Sequence, residues 1–153
     1  MQIEQIESSM SELQLFAVYP TEPQPLTVPA GATQFTDLYT GMALGVYSVL
    51  RTYEHDQFLH LDKHLARLRH SMRLLGWPDD LEEAGLRHAL QRICPPYPAT
   101  EARVRIDVLA EPAPGTTTRL LVALMPFTPL PRQVYETGVV VDFAPGLARP
   151  IRE

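Results

Sequence analysis

The chain has 153 residues, of which 45% are hydrophobic and 20% charged, the size and balance of one ordinary globular domain. Its formal net charge of −5 argues against broad electrostatic binding to nucleic acid or to an anionic membrane, and no run approaches the roughly 20 apolar residues of a membrane span. The opening "MQIEQIESSMSEL" has no basic cluster before an apolar core and does not read as a signal peptide, while the single cysteine, Cys94, excludes an internal disulfide and fits a cytoplasmic protein.

In chain order, residues 1–12 read as a polar leader and "LQLFAVYP" (13–20) as a first strand. Residues 20–45 hold Pro20, Pro23, Pro25, Pro29 and Gly31 and read as a long connection. "GVYSVLRTY" (45–53) is β-branched and aromatic, "EHDQ" (54–57) turns the chain, and "FLHL" (58–61) returns as the second arm of a hairpin. Two helices are expected at about 62–76 and 80–93, with Asp62 as the N-cap of the first. "ARVRIDVLA" (102–110) alternates, so Val104, Ile106 and Val108 face one way and Arg103, Arg105 and Asp107 the other. "EPAPGTT" (111–117) is a hairpin loop, "RLLVALMPF" (119–127) a strand apolar on both faces, and "GVVVDF" (138–143) a last strand.

Strands, two helices, then strands predict an α+β layer: a mostly antiparallel sheet with two consecutive helices packed on one face. The second face mixes polar groups with apolar ones, and little in the chain is expected to be left to cover it. The expected organisation is a leader at 1–12, a small α+β domain at 13–145, and at 146–153 the start of a linker to a further, C-terminal domain.

The basic residues are unevenly chosen: twelve are arginine and only one, Lys63, is lysine. Arginine grips phosphate and carboxylate with a rigid fork but cannot condense with an aldehyde. On the first helix, Leu61, Leu65, Leu68, Met72 and Leu75 form the core stripe. Arg69 and Arg73 lie beyond one edge of it, on a side that reads as solvated, and Arg67 beyond the other, on the flank that Leu74 makes partly apolar. Spacing therefore favours Arg67 as the arginine pointing into structure, either to meet a ligand or as a half-buried side chain running past the core. On the preceding strand Tyr47, Val49, Arg51 and Tyr53 share one face. If that face is also the Arg105 face, then Arg51, Arg67 and Arg105 surround one anionic pocket.

"GVYSVLRTY…FLHLDKHLARLRHSMRLLGW" resembles the N-terminal region of class IV (fold type IV) pyridoxal-phosphate enzymes, the family of branched-chain and D-amino-acid aminotransferases and aminodeoxychorismate lyase. "RVRIDVLAE" is similar to the family's next strand and "YETGVVVDFAPGLARP" to the segment before its cofactor lysine. The resemblance implies transfer of an amino group between an amino acid and a 2-oxo acid, with pyridoxal 5'-phosphate as cofactor and a homodimer as the assembly. It implies that Arg67 of "HLARL" binds the cofactor phosphate and that Tyr47, Arg51 and Arg105 line the substrate side. Ser48 stands where the family usually has glutamate, and "YTGMALG" matches the family's approach poorly; both leave the substrate class open. The resemblance also implies that the lysine holding the cofactor aldehyde, and the acidic partner of its ring nitrogen, follow this stretch. Lys63, one turn from the phosphate anchor, is not placed to replace that lysine, so the chain alone is expected to be inactive. The alternatives are a lyase of the same family and a stand-alone, non-catalytic domain that binds an anion or a partner.

Other constellations carry less. His60, Asp62 and His64 of "HLDKH" are better explained by helix capping than by a metal, Cys94 has no basic neighbour in sequence and reads as a small buried residue, and "RLRHSMR" lacks the aromatics of a nucleic-acid patch.

Overall fold

A computed structural model describes residues 13–142 and Gly146. Six strands form one antiparallel sheet: β1 (Gln14–Ala17), β2 (Gln24–Leu26), β3 (Gly45–Tyr53), β4 (Gln57–Phe58), β5 (Ala102–Leu109) and β6 (Leu120–Pro126). Their spatial order is β2-β1-β6-β5-β3-β4. Helices α1 (Leu61–Leu74) and α2 (Glu83–Ile93) follow one another on one face, and α3 (Arg132–Thr137) comes after the last strand. The α+β layer read from the sequence is the fold.

The register is the expected one. Val104, Ile106 and Val108 point to the helices, packing in one core with Leu65, Leu68 and Met72 of α1 and Leu86, Ala89, Leu90 and Ile93 of α2. Arg105 lies opposite Val49 and Asp107 opposite Tyr47, all odd-numbered and so on the other face.

α1 begins one residue earlier than its sequence suggests. Its N-cap is His60, held at φ 56° with no side-chain cap, because the turn out of β4 is tight. Asp62 is therefore not the cap: it sits in the first turn, where a carboxylate complements the helix dipole, and it meets Arg87 of α2. At the other end Gly76, at φ 70°, stops the helix. The Gly76 amide donates to the Arg73 carbonyl and the Trp77 amide to that of Met72, each at 3.0 Å, the Schellman arrangement that needs a left-handed residue. Leu75 thus leaves the apolar stripe and is half exposed.

Two expectations are corrected. The long connection over 20–45 carries structure of its own, β2 and a 3-10 turn over Phe35–Tyr39. That turn covers much of the second sheet face, since Phe35 and Leu38 pack with Leu15, Ala17, Leu121 and Ala123, so the chain does supply its own cover. No strand forms over 138–142; Phe143 lies outside the described residues. The chain instead makes α3 after Pro131, supported by the Arg132–Glu136 pair at 2.6 Å, and leaves it at Gly138. Val139, Val140 and Val141 then run exposed, because β2 and β4 already end the sheet and no edge receives them. The expected leader at 1–12 and, apart from Gly146, the linker at 146–153 lie outside the described residues.

Candidate functional site

β3 divides its side chains between two environments, and the site follows from that division. Ser48, even-numbered, points to the helix side and is 0% exposed. Its hydroxyl accepts a hydrogen bond from Arg67 Nη2 at 2.7 Å and lies 2.8 Å from His64 Nδ1. His64 and Arg67 sit within one turn of α1, so a single buried hydroxyl ties together two side chains of the "HLARL" stretch. Burial, then the Arg67 charge, then His60 push the His64 imidazolium below its ordinary range, so the ring is neutral near pH 7.

Arg67 and Arg69 exchange the environments that spacing suggested. Arg69 is the half-buried one. It joins α1 to the start of α2 by bonds to Asp79, Glu83 and the Leu81 carbonyl, carboxylates that come from the following segment and leave no mark on the period of α1. Arg67 is exposed, on the flank where Leu74 is also exposed, and among the described residues its one hydrogen bond is to Ser48. Among the described arginines only Arg67 and Arg103 make no ion pair. The single lysine, Lys63, is exposed in the first turn of α1.

The odd-numbered face holds Tyr47, Arg51 and Arg105. Arg105 is clamped between two rings, Tyr39 at 4.3 Å and Tyr47 at 4.0 Å. Its Nε and Nη2 both donate to Asp107, at 2.9–3.0 Å, and the Tyr39 hydroxyl donates to the same carboxylate at 2.5 Å. Asp107 is 1% exposed; burial pushes its carboxyl up, and Arg105 and Tyr39 only partly offset this. Burial and the neighbouring carboxylate likewise push the Tyr39 hydroxyl up, so it stays a donor. Arg51 pairs with Glu101 at 2.5 Å and lies over the Phe127 ring at 3.9 Å. Its Nε is buried with no partner among the described residues. Tyr47 is 52% exposed and forms the open side of this arrangement.

Tyr47 and Arg105 are therefore together, with Arg51 further along the same face. Arg67 is on the other side of β3, so the three arginines do not ring one pocket: the two-residue period of the strand sends Ser48 toward Arg67 and both Tyr47 and Arg51 away from it. What the two sides share is the outer edge of β3. There an open groove of about 350 Å³ is lined by His64 of α1, by its N-cap His60, and by Arg51 and Arg103 from the opposite face. Reading the sequence missed Tyr39 and the role of Asp107. Asp107 carried a signal, being two residues from Arg105 on one face of a strand. Tyr39 carried none, since it arrives from 68 residues away.

An exposed guanidinium, oriented by a neutral hydroxyl and unopposed by a carboxylate, suits a phosphate monoester. An aldehyde needs a neutral amine, and the one lysine stands four residues from that guanidinium on the same helix.

The amino-transferase class IV family matches residues 45–149. Among solved structures, a hypothetical aminotransferase from Mycobacterium tuberculosis in its PLP-bound form is similar, with a TM-score of 0.54 and 20% identity, covering 80% of this chain and 42% of that one. A putative aminotransferase from Corynebacterium glutamicum gives a TM-score of 0.52 and 16% identity, covering 76% and 49%. A fold IV transaminase from Curtobacterium pusillum gives 0.52 and 17%, covering 79% and 45%. At these identities the likeness is one of fold. This chain spans less than half the length of each of these structures. No curated protein matches it.

Proposed function

This chain belongs to the class IV aminotransferase family, and on that premise we propose that it is the small domain of a pyridoxal-phosphate-dependent enzyme that moves an amino group between an amino acid and a 2-oxo acid. Arg67 holds the cofactor phosphate. The observation that carries this is its bond to Ser48: the guanidinium is oriented without being neutralised, so its charge is left for an anion. The bound cofactor supplies an electron-withdrawing ring that eases proton removal from the amino acid's α-carbon.

This chain's residues then bind and orient. Tyr47, Arg51 and Arg105 form the substrate side. Arg105 spends Nε and Nη2 on Asp107, which leaves Nη1 for a substrate carboxylate, and the Tyr39–Tyr47 clamp stops the fork from turning. Lys63 takes no part, so the amine that holds the cofactor aldehyde comes from outside these 153 residues. Two copies assemble, and the half-exposed Tyr47 and the exposed Leu44 support an apolar contact near the site.

The test is a titration of the chain with pyridoxal phosphate and, separately, with pyridoxal. Phosphate anchoring by Arg67 predicts millimolar binding of the phosphorylated form, lost in Arg67→Ala, and no comparable binding of pyridoxal. Equal binding of the two forms, or binding unchanged in Arg67→Ala, contradicts it. The placement of the one lysine also favours a second reading, a non-catalytic anion-binding domain; it predicts that inorganic phosphate competes as well as pyridoxal phosphate.

A further inference from the structure

The family accounts for Arg67 but not for what aims it. Three atoms lie in sequence on the helix side of β3: Arg67 Nη2, Ser48 Oγ and His64 Nδ1, with separations of 2.7 and 2.8 Å. A hydroxyl has one proton to give and two lone pairs to receive. Arg67 only donates, so it occupies a lone pair. The Ser48 proton needs an acceptor, because the side chain is 0% exposed and an unmet buried donor is costly. His64 Nδ1 is the acceptor within reach. Were Nδ1 protonated, both neighbours of Ser48 would be donors and its own proton would point at nothing.

We propose that Ser48 is a positioning residue for the phosphate anchor: its hydroxyl aims Arg67 and, in the same stroke, fixes His64 as the neutral tautomer with its proton on Nε2. This deepens the proposed function and rests on Arg67 holding the phosphate.

The consequences follow from charge. Donation runs one way, from Arg67 to Ser48 to His64, and ends on an uncharged ring. No carboxylate enters the chain, so Arg67 keeps its full charge while losing the rotational freedom that makes an exposed arginine a poor anchor. The groups facing His64 are Arg67 on its own helix, His60 one turn earlier and Ser48 from β3, and Arg51 and Arg103 share its groove; the cations among them disfavour a further positive charge, and the neutral state agrees with this. The ring's one N–H stands on the nitrogen away from Ser48, and His64 lines the groove at the edge of β3.

Two measurements on the 153-residue chain decide it. The first needs no substitution: long-range proton–nitrogen NMR of the histidine rings near pH 7 should show His64 protonated on Nε2 with Nδ1 bare. A proton on Nδ1 overturns the proposal. The second is a cycle of inorganic phosphate titrations, followed by amide shifts, on the parent, Ser48→Ala, Arg67→Ala and the double variant. Ser48→Ala should weaken phosphate binding about three- to tenfold, the worth of one orienting hydrogen bond, and should cost nothing further once Arg67 is gone. An equal loss in the Arg67→Ala background means that Ser48 acts only through general structure and overturns this inference alone. Phosphate binding that survives Arg67→Ala intact overturns the proposed function, and this inference with it.

Discussion

The guanidinium of Arg67 ends on the hydroxyl of Ser48, 2.7 Å away, whereas that of Arg69, two positions later on α1, ends on Asp79, Glu83 and the Leu81 carbonyl. One arginine is left charged and oriented; the other is spent on fastening α1 to α2. The two should therefore separate cleanly on substitution. Arg69→Ala should lower the free energy of unfolding by about 1–2 kcal/mol, the worth of charge-assisted bonds at a partly exposed site. Arg67→Ala should stay within about 0.5 kcal/mol of the parent, as an exposed residue should. Denaturant unfolding of both variants checks this, and the reverse order would mean that Arg67 is structural.

Asp107 holds Arg105 and Tyr39 in place from a buried position. Asp107→Ala leaves a half-buried guanidinium without its partner and should cost about 3 kcal/mol. The same change frees the ring clamp on Arg105, so the near-ultraviolet circular dichroism of the tyrosines should fall at temperatures where the variant is still folded. A loss under 1 kcal/mol with the tyrosine signal unchanged would show that the ion pair does not organise this face.

His64 provides a pH dependence whose sign is fixed. Its folded pKa lies below the unfolded value because of burial and the Arg67 charge. Between the folded pKa and about 6.5 the unfolded chain binds more protons, so stability rises with pH across that window and is lost as pH falls through it. An NMR titration should place the His64 midpoint below 6.5. In Arg67→Ala the midpoint should move up, since the second-ranked cause is removed. A midpoint above 6.5 in the parent would contradict the hydroxyl-to-ring bond described here.

The turn between β3 and β4 offers a stability gain. Glu54 and His55 both have positive φ, 47° and 75°, in the three-residue loop that joins Tyr53 to its partner Gln57, a conformation that glycine adopts without steric cost. His55 Nδ1 is also buried without a partner among the described residues. His55→Gly removes both burdens and should raise stability by about 0.5–1 kcal/mol, net of glycine's own entropy. Thermal unfolding measures it, and a lowered midpoint would show that the His55 ring packs better than its unmet nitrogen suggests.

Much of this was legible in the chain itself, and the limits are instructive. The alternation of "ARVRIDVLA" predicted the β5 register correctly because its two faces meet opposite environments: the helices on one side and the Arg105 cluster on the other. "GVYSVLRTY" matched β3 residue for residue because a turn closes it at one end and a proline-rich connection at the other. The exposure of Arg67 and Arg69 was misjudged because a helical period reports which residues share a face, not which partners a later segment brings. Asp79 and Glu83 reverse the ranking from ten and fourteen residues away. "GVVVD" failed as a strand for the complementary reason, since β-branched residues favour pleated structure only where an edge accepts them. The Tyr39–Asp107 bond has no local signature at all. Around the proposed anchor, "HLARL" put His64 and Arg67 within one helical turn, but their meeting at Ser48 needed the fold.

The central claim is that this chain anchors a phosphate without presenting an amine to the attached aldehyde. The direct measurement is borohydride reduction of the chain after incubation with pyridoxal phosphate and an amino donor, followed by peptide mass spectrometry, with 2-oxo acid assayed before reduction. The account predicts no stoichiometric adduct on Lys63 and no 2-oxo acid above the chain-free control. A specific, one-to-one Lys63 adduct accompanied by turnover would contradict it.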